Sequence, residues 1–183
     1  QTRILQLETP VLTTDDFQAL RAYFGENAKT IDCTFGAKSE RLREALERIR
    51  QEAEEAVRGG AEQIILTDEG VGPDRAPLPM ILAASAVHSH LTRQGLRAFS
   101  SITVRSGECL DVHYFAVLIG VGATAVNAYL AEAAIADRHA RGLFAGFTLP
   151  ECLERYKEAV NQGLLKIMSK MGISIISSYR GGY

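Results

Sequence analysis

Four histidines, three cysteines and a few carboxylates and glycines are the residues here whose chemistry could exceed packing. His88 and His90 stand two apart in a helical pattern, so their rings point away from each other and cannot share a metal as a pair. His113 falls in a different helical stretch and His139 in a solvated one. Hydrogen-bonded core or surface histidines are the simpler reading of all four. Cys33, Cys109 and Cys152 are far apart and odd in number, with no CxxC pair. That signals neither a zinc site nor a disulfide framework, and it fits a reducing compartment. Glu108 and Asp111, three apart at the head of a helical segment, could share acid–base work. The positive end of that helix explains them more simply, with Ser106 as its cap. No nucleophile–histidine–carboxylate set can be assembled.

Glycines offer a second kind of chemistry, because their amides can cradle an anion. Gly70-Val-Gly72 and Gly181-Gly182 both follow strand-like runs, on the side of a parallel sheet where ligands bind. Neither matches the dinucleotide fingerprint or the P-loop. A plain turn is the simpler reading for Gly70–Gly72, and both readings stand for Gly181-Gly182. Gly120 to Gly122 lies on the opposite, helix-to-strand side, where a stability role is expected.

These residues must be positioned by the elements around them. The 183 residues suit one domain, and the net charge of −2 gives no case for nucleic acid or an acidic membrane as partner. The apolar runs are too short to span a bilayer. Thr13 or Thr14 caps a first helix. Alternation over 29–35 predicts a first strand, and Ser39 is expected to cap a long helix carrying Leu42, Leu46, Ile49, Ala53 and Ala56 on one face. Ile64 to Leu66 is a fully apolar strand of the type covered on both faces. Pro79 opens a buried helix closed by Gly95. Strands are expected over 98–104 and 124–129, with a helix over 110–119 between them and an alanine-rich helix over 130–141 after them. Thr148-Leu-Pro-Glu151 is a capping box for a helix whose middle, 161–163, glycine loosens. A last apolar strand is expected over 173–178. Gly60, Gly122 and Gly172 each punctuate a helix-to-strand turn.

The tally is an α/β chain of about five βα units with a mainly parallel sheet, too few for a closed eight-stranded barrel and thus partial and barrel-like. We expect a single domain over 1–183, with 163–183 as a junction, and a piece of something larger.

Three stretches carry a family resemblance. Ser106-Gly-Glu-Cys-Leu-Asp-Val-His-Tyr-Phe-Ala116 with Gly120-Val-Gly-Ala-Thr-Ala-Val-Asn-Ala-Tyr-Leu130 resembles the SGE…VHHFA…GYGA…NPYLA run of the glutamate synthase large chain. Leu66-Thr-Asp-Glu69 with Leu78-Pro-Met-Ile-Leu-Ala-Ala-Ser-Ala-Val-His-Ser-His-Leu91 is similar to another segment of that family. Gly163-Leu-Leu-Lys-Ile-Met-Ser-Lys-Met-Gly-Ile-Ser-Ile-Ile-Ser-Ser-Tyr-Arg-Gly181 resembles its junction into a flavin domain. Glu69 stands where the family has Arg, Tyr114 replaces one of two histidines, and Ala128 replaces a proline.

The resemblance implies a central domain of an oxidoreductase that makes glutamate from glutamine and 2-oxoglutarate. It would link a glutaminase domain to an FMN and iron–sulfur (3Fe-4S) synthase domain, help form an ammonia channel, and have no catalysis or cofactor of its own. An electron-donor subunit or ferredoxin and a cytoplasmic location are implied as well. Lys166, Lys170, Ser174, Ser178, Tyr179 and Arg180 match the junction motif and are the junction or channel candidates. The alternative is a freestanding barrel-like enzyme or binding protein holding a phosphorylated ligand in loops 67–74 and 179–183.

Overall fold

The computed structural model describes residues 7–174 and 176–180. Helix α1 (Thr14–Phe24) starts at Thr13, whose hydroxyl accepts the Asp16 amide at 3.1 Å while Asp16 Oδ2 accepts the Thr13 amide at 3.0 Å. This reciprocal cap satisfies two otherwise free donors. A 3-10 turn, Gly25–Asn27, leads into β1 (Ala28–Asp32) and the two-residue β2 (Thr34–Phe35). Helix α2 (Leu42–Arg58) is followed by β3 (Gln63–Thr67), the short β4 (Ala76–Pro77) and α3 (Met80–Arg93). A second 3-10 turn, Arg97–Phe99, then precedes β5 (Ser101–Arg105), α4 (Val112–Gly120), β6 (Ala125–Asn127), α5 (Tyr129–Ala140), α6 (Leu149–Lys170) and α7 (Ile176–Tyr179).

Four strands form one parallel sheet in the order β1-β3-β5-β6, and β2 pairs antiparallel with β4 in a separate ribbon. The register places Ile31, Leu66, Val104 and Val126 in one row. That face is the main core, filled by Ala45, Ile49, Ala53 and Val57 of α2 with residues of α3, α4 and α6. The opposite face carries the rows Thr30–Ile65–Thr103–Ala125 and Asp32–Thr67–Arg105–Asn127. Helix α1 closes this side near β6, packing Leu20 and Phe24 against Ala125 and Leu12. The β3 positions are buried throughout, as a strand covered on both faces requires.

The α/β reading with a mainly parallel, partial barrel-like sheet is borne out, and several boundaries are corrected. The expected strand 29–35 is split: Cys33 still donates its amide to the Thr67 carbonyl at 2.8 Å, and Thr34 turns away to pair with Pro77. Ser39 does not cap α2. Its hydroxyl donates to the Gly36 carbonyl at 3.3 Å, and the cap is Arg41, whose amide donates to Glu44 at 2.9 Å. Ser106 does not cap α4, a task that falls to Asp111, whose carboxylate accepts the Tyr114 amide. The strand expected over 124–129 stops at Asn127 because Tyr129 already opens α5.

The last strand, expected over 173–178, is replaced at Ile176–Tyr179 by a helical turn, while residue 175 lies outside the described residues. A strand needs a free edge, and the outer edge of β6 is taken by residues 10–12, with Leu12 donating to the Val126 carbonyl and Val126 to that of Pro10. The expectations for residues 1–6 and for Gly181-Gly182 also lie outside the described residues.

Helix α6 runs unbroken through 161–163, contrary to the expected loosening. Gly163 is there for proximity: a Cβ on it would sit 2.7 Å from Val112 Cγ1 of α4. Gly163→Ala would gain about 1 kcal/mol of helix propensity but cost more by overpacking, typically about 1–3 kcal/mol. We expect a net loss read as a lower midpoint in thermal unfolding. A stabilised variant would contradict the close α4–α6 approach.

Candidate functional site

In a parallel α/β sheet the carboxyl ends of the strands are where ligands bind. Here that edge carries Asp32, Thr67, Arg105 and Asn127 in register, followed by Asp68 and Glu69 after β3 and Ser106 to Glu108 after β5. Arg105, only 9% exposed, lies between the rings of Phe17 and Tyr129, 4.9 and 4.8 Å from their centroids. Its Nε donates to Glu69 Oε1 at 2.7 Å and its Nη1 to Asn127 Oδ1 at 2.6 Å. Asn127 Nδ2 donates to Glu132 Oε2 at 2.8 Å and to the Leu12 carbonyl at 3.0 Å. Glu132 in turn accepts the amide and hydroxyl of Thr14, each at 3.0 Å.

Beside this chain, buried Asp68 accepts the Tyr129 phenol at 2.7 Å, the Gly107 amide at 3.0 Å and the Ser106 hydroxyl at 3.4 Å. Burial raises the Tyr129 phenol pKa, and the Asp68 carboxylate raises it further, so this proton stays in place at neutral pH. Tyr114 donates to Glu108 in the same loop region. The arrangement ties α1, α5 and the loops after β3 and β5 together. Its polar groups face one another, which rigidifies an edge rather than activating a nucleophile.

The 67–74 loop is exposed from 69 to 74 yet bonded to itself. Val71 donates its amide to the Asp68 carbonyl, and Gly72 and Arg75 exchange amide bonds at 3.1 Å. A Cβ on Gly70 would lie 3.1 Å from Asp32 Oδ1. Amides committed to carbonyls beside a carboxylate do not cradle a phosphate.

The histidines separate as their spacing implies. His90 Nε2 meets Glu54 Oε2 at 2.7 Å, His139 Nε2 meets the Phe147 carbonyl at 2.8 Å, and His113 is exposed. His88 Nδ1 accepts from Arg97 Nε at 3.0 Å. Burial holds the His88 pKa below its ordinary value, with the charges of Arg97 and Arg180 adding to the effect. A depressed histidine favours the folded state while neutral. Stability is therefore expected to be fully present above about pH 6.5, to fall as pH drops through that value, and to level off below the depressed folded pKa. The His88→Gln variant should lose this slope in denaturant titrations run from pH 8 to pH 5.

Cysteine chemistry is equally closed. Burial pushes the Cys33 thiol up to about 12, with the Asp32 carboxylate adding to it, and Cys109 is raised by burial as well. Cys152 sits apart on α6. Among the described residues no three His, Cys, Asp or Glu side chains group so as to hold a metal ion. Two buried neutral thiols and a distant third do not fit an iron–sulfur cluster.

The junction candidates do not form one site. Lys166, Lys170 and Ser174 are exposed on and after α6. Ser178 lies on α7, its side chain outside the description. Tyr179 and Arg180 are brought onto the α4–β6 turn: a Cβ on Gly120 would meet the Tyr179 ring at 3.6 Å, and Arg180 Nη2 donates to the Thr124 carbonyl at 3.3 Å. The residues that sequence reasoning missed are Arg105, Asn127, Tyr129, Glu132 and Asp68 as one network. Its signal was a polar residue at or just past the carboxyl end of three successive apolar strands.

Comparison with known proteins decides the family. The family model described as Glutamate synthase central domain matches residues 1–183. The chain belongs to that family. This central domain is 64% identical over 184 residues to the Azospirillum brasilense glutamate synthase [NADPH] large chain, covering 100% of this chain and 12% of that protein. It is 41% identical over 181 residues to the Bacillus subtilis (strain 168) large chain, covering 98% of this chain and 12% of the relative. A ferredoxin-dependent glutamate synthase of Spinacia oleracea is 40% identical over 151 residues, covering 76% of this chain and 9% of that protein. The central domain thus spans about an eighth of the length of its bacterial relatives. A solved structure of a mutant flavocytochrome b2 with pyruvate bound shares the fold, with a TM-score of 0.57 at 13% identity over 93% of this chain and 46% of that one.

Each of the three positions expected to depart from the family pattern has a local setting. Glu69 is the carboxylate that receives Arg105, Tyr114 bonds Glu108, and Ala128 is a buried residue at the head of α5. Among the described residues no helix is long and apolar enough to cross a membrane.

Proposed function

We propose that this domain is the structural linker of a cytoplasmic glutamate synthase, standing between a glutaminase domain and an FMN and iron–sulfur domain of one polypeptide. It contributes wall to the path by which ammonia reaches the synthase site, and it does no chemistry when isolated. The domain is read as one unit over 1–183, with 163–183 as the junction. FMN and the cluster belong to other parts of the polypeptide, and reducing equivalents come from an electron-donor subunit or ferredoxin.

The observation that carries this reading is the closed polar edge. Where a freestanding barrel enzyme would present open groups, Arg105, Asp68 and Asn127 are engaged with their own chain. Its relatives, glutamate synthase large chains, support the activity proposed for the whole polypeptide.

The test is made in the full-length polypeptide. Lys166→Ala with Lys170→Ala, and separately Arg180→Gln, are expected to reduce glutamine-supported glutamate synthesis while glutaminase turnover and ammonia-supported synthesis persist. Unchanged coupling in every variant would remove the channel role from these residues.

A further inference from the structure

We propose that Arg97 is the positioning residue of a latch that seats α7 and Arg180 on the turn between α4 and β6, with His88 as its proton-sensitive element. The latch deepens the linker reading, on which only its consequence rests: it would set the direction in which the chain leaves the domain.

The geometry begins at the turn. Arg97 is a half-buried guanidinium that donates to the Ser100 carbonyl at 2.5 Å, to the Gly122 carbonyl at 2.9 Å and to Thr124 Oγ1 at 3.3 Å. Its Nε completes the set on His88 at 3.0 Å. The turn so held presents two features to the carboxyl-terminal segment. Gly120 offers a surface without a side chain against the Tyr179 ring, and the Thr124 carbonyl receives Arg180. Thr124 is therefore shared, its hydroxyl bonded to Arg97 and its carbonyl to Arg180.

The electrostatics make the seat conditional. Burial pulls the Arg97 guanidinium down to about 10, with the Arg180 charge adding to it, and burial lowers Arg180 as well. Both remain protonated at neutral pH, and no carboxylate lies within salt-bridge distance of either among the described residues. Among the described residues, carbonyl dipoles, the Thr124 hydroxyl and a neutral imidazole hold two like charges in one region. The buried Arg180 Nε has no hydrogen-bond partner among the described residues, which weighs against the seat.

Protonating His88 removes the acceptor for Arg97 Nε and adds a third positive charge. Among the described residues the charged groups facing His88 are Arg97 from the 3-10 turn and Arg180 from the carboxyl-terminal segment. The α4–β6 turn contributes Gly122 and Thr124, neither of which titrates.

Hydrogen exchange in the full-length polypeptide tests this directly, read on a peptide covering 176–180 and corrected for intrinsic rates. At pH 7.5 Arg97→Gln is expected to speed exchange there by about tenfold or more, the factor that losing a hydrogen bond from a charged donor implies. Lowering the pH to 5.5 is expected to open the wild-type segment but not that of His88→Gln, whose amide oxygen still accepts and cannot titrate. Unchanged exchange in Arg97→Gln, or identical pH profiles for wild type and His88→Gln, would overturn the latch. If Arg97→Gln also exposes β3 and β5, the His88→Gln comparison decides alone. The readout is independent of ammonia coupling, so failure of the channel reading and failure of the latch are separate results.

Discussion

Replacing Arg105 with methionine is expected to lower the unfolding free energy by about 2–4 kcal/mol, chiefly by stranding a buried acceptor, since the paired Glu69 carboxylate is 46% exposed and its ion pair contributes about 1 kcal/mol or less. The methionine keeps the apolar stem between Phe17 and Tyr129 but removes both bonds. Asn127 Oδ1 then loses its donor in a fully buried site, and Glu69 loses its counter-charge. The cation held between two rings, a contact worth about 2 kcal/mol when desolvated, goes as well. Adding Glu69→Gln should restore little of the loss, because that half-exposed carboxylate stays solvated without its partner. Urea denaturation of the two variants measures both. A single-variant loss within about 1 kcal/mol would place Arg105 among ordinary surface changes and end the claim that it organises this edge.

Gly122→Ala is expected to be comparably damaging, at about 3 kcal/mol or more, because two penalties of roughly 1–3 kcal/mol each act together. The first is conformational: the residue has φ of +118°, a region that side chains with a Cβ avoid. The second is steric, since the new Cβ would fall 2.2 Å from His88 Cγ, inside a ring already held by Arg97. The two can be separated. Combining Gly122→Ala with His88→Ala removes the collision but not the backbone strain, so the double variant should recover only the steric part. Full additivity of the two single losses would show that the ring and the turn do not touch.

Much of the scaffold was legible. Thr148 forms the reciprocal cap its spacing announced, Thr13 rather than Thr14 proves to be the cap of α1, and Gly60, Gly122 and Gly172 all take positive φ at the turns where helices end. These are local rules, in which a side chain or a missing Cβ acts within four residues. The failures share a different character. An apolar run such as 173–178 reads equally as strand or buried turn, and what decides it is whether an edge is open beside it. The candidate site was harder still. Arg105, Asn127 and Glu132 look unremarkable in order along the chain; only the strand register sets Arg105 beside Asn127, and only the packing of α5 brings Glu132 to them.

The sequence by itself determined the alternation of helix and strand, the parallel sheet and the family, because periodicity, caps and motif spacing are written in neighbouring residues. Tertiary structure alone decided that the carboxyl edge of the sheet closes on itself, that α1 covers the sheet beside it, and that Tyr179 and Arg180 seat on the α4–β6 turn. Each of these depends on groups far apart in the chain competing for the same partner, as Glu132 is shared by Thr14 and Asn127 and Thr124 by Arg97 and Arg180. Such competition has no signature in a linear pattern. Its outcome is set by which bonds can be made simultaneously once burial has excluded water.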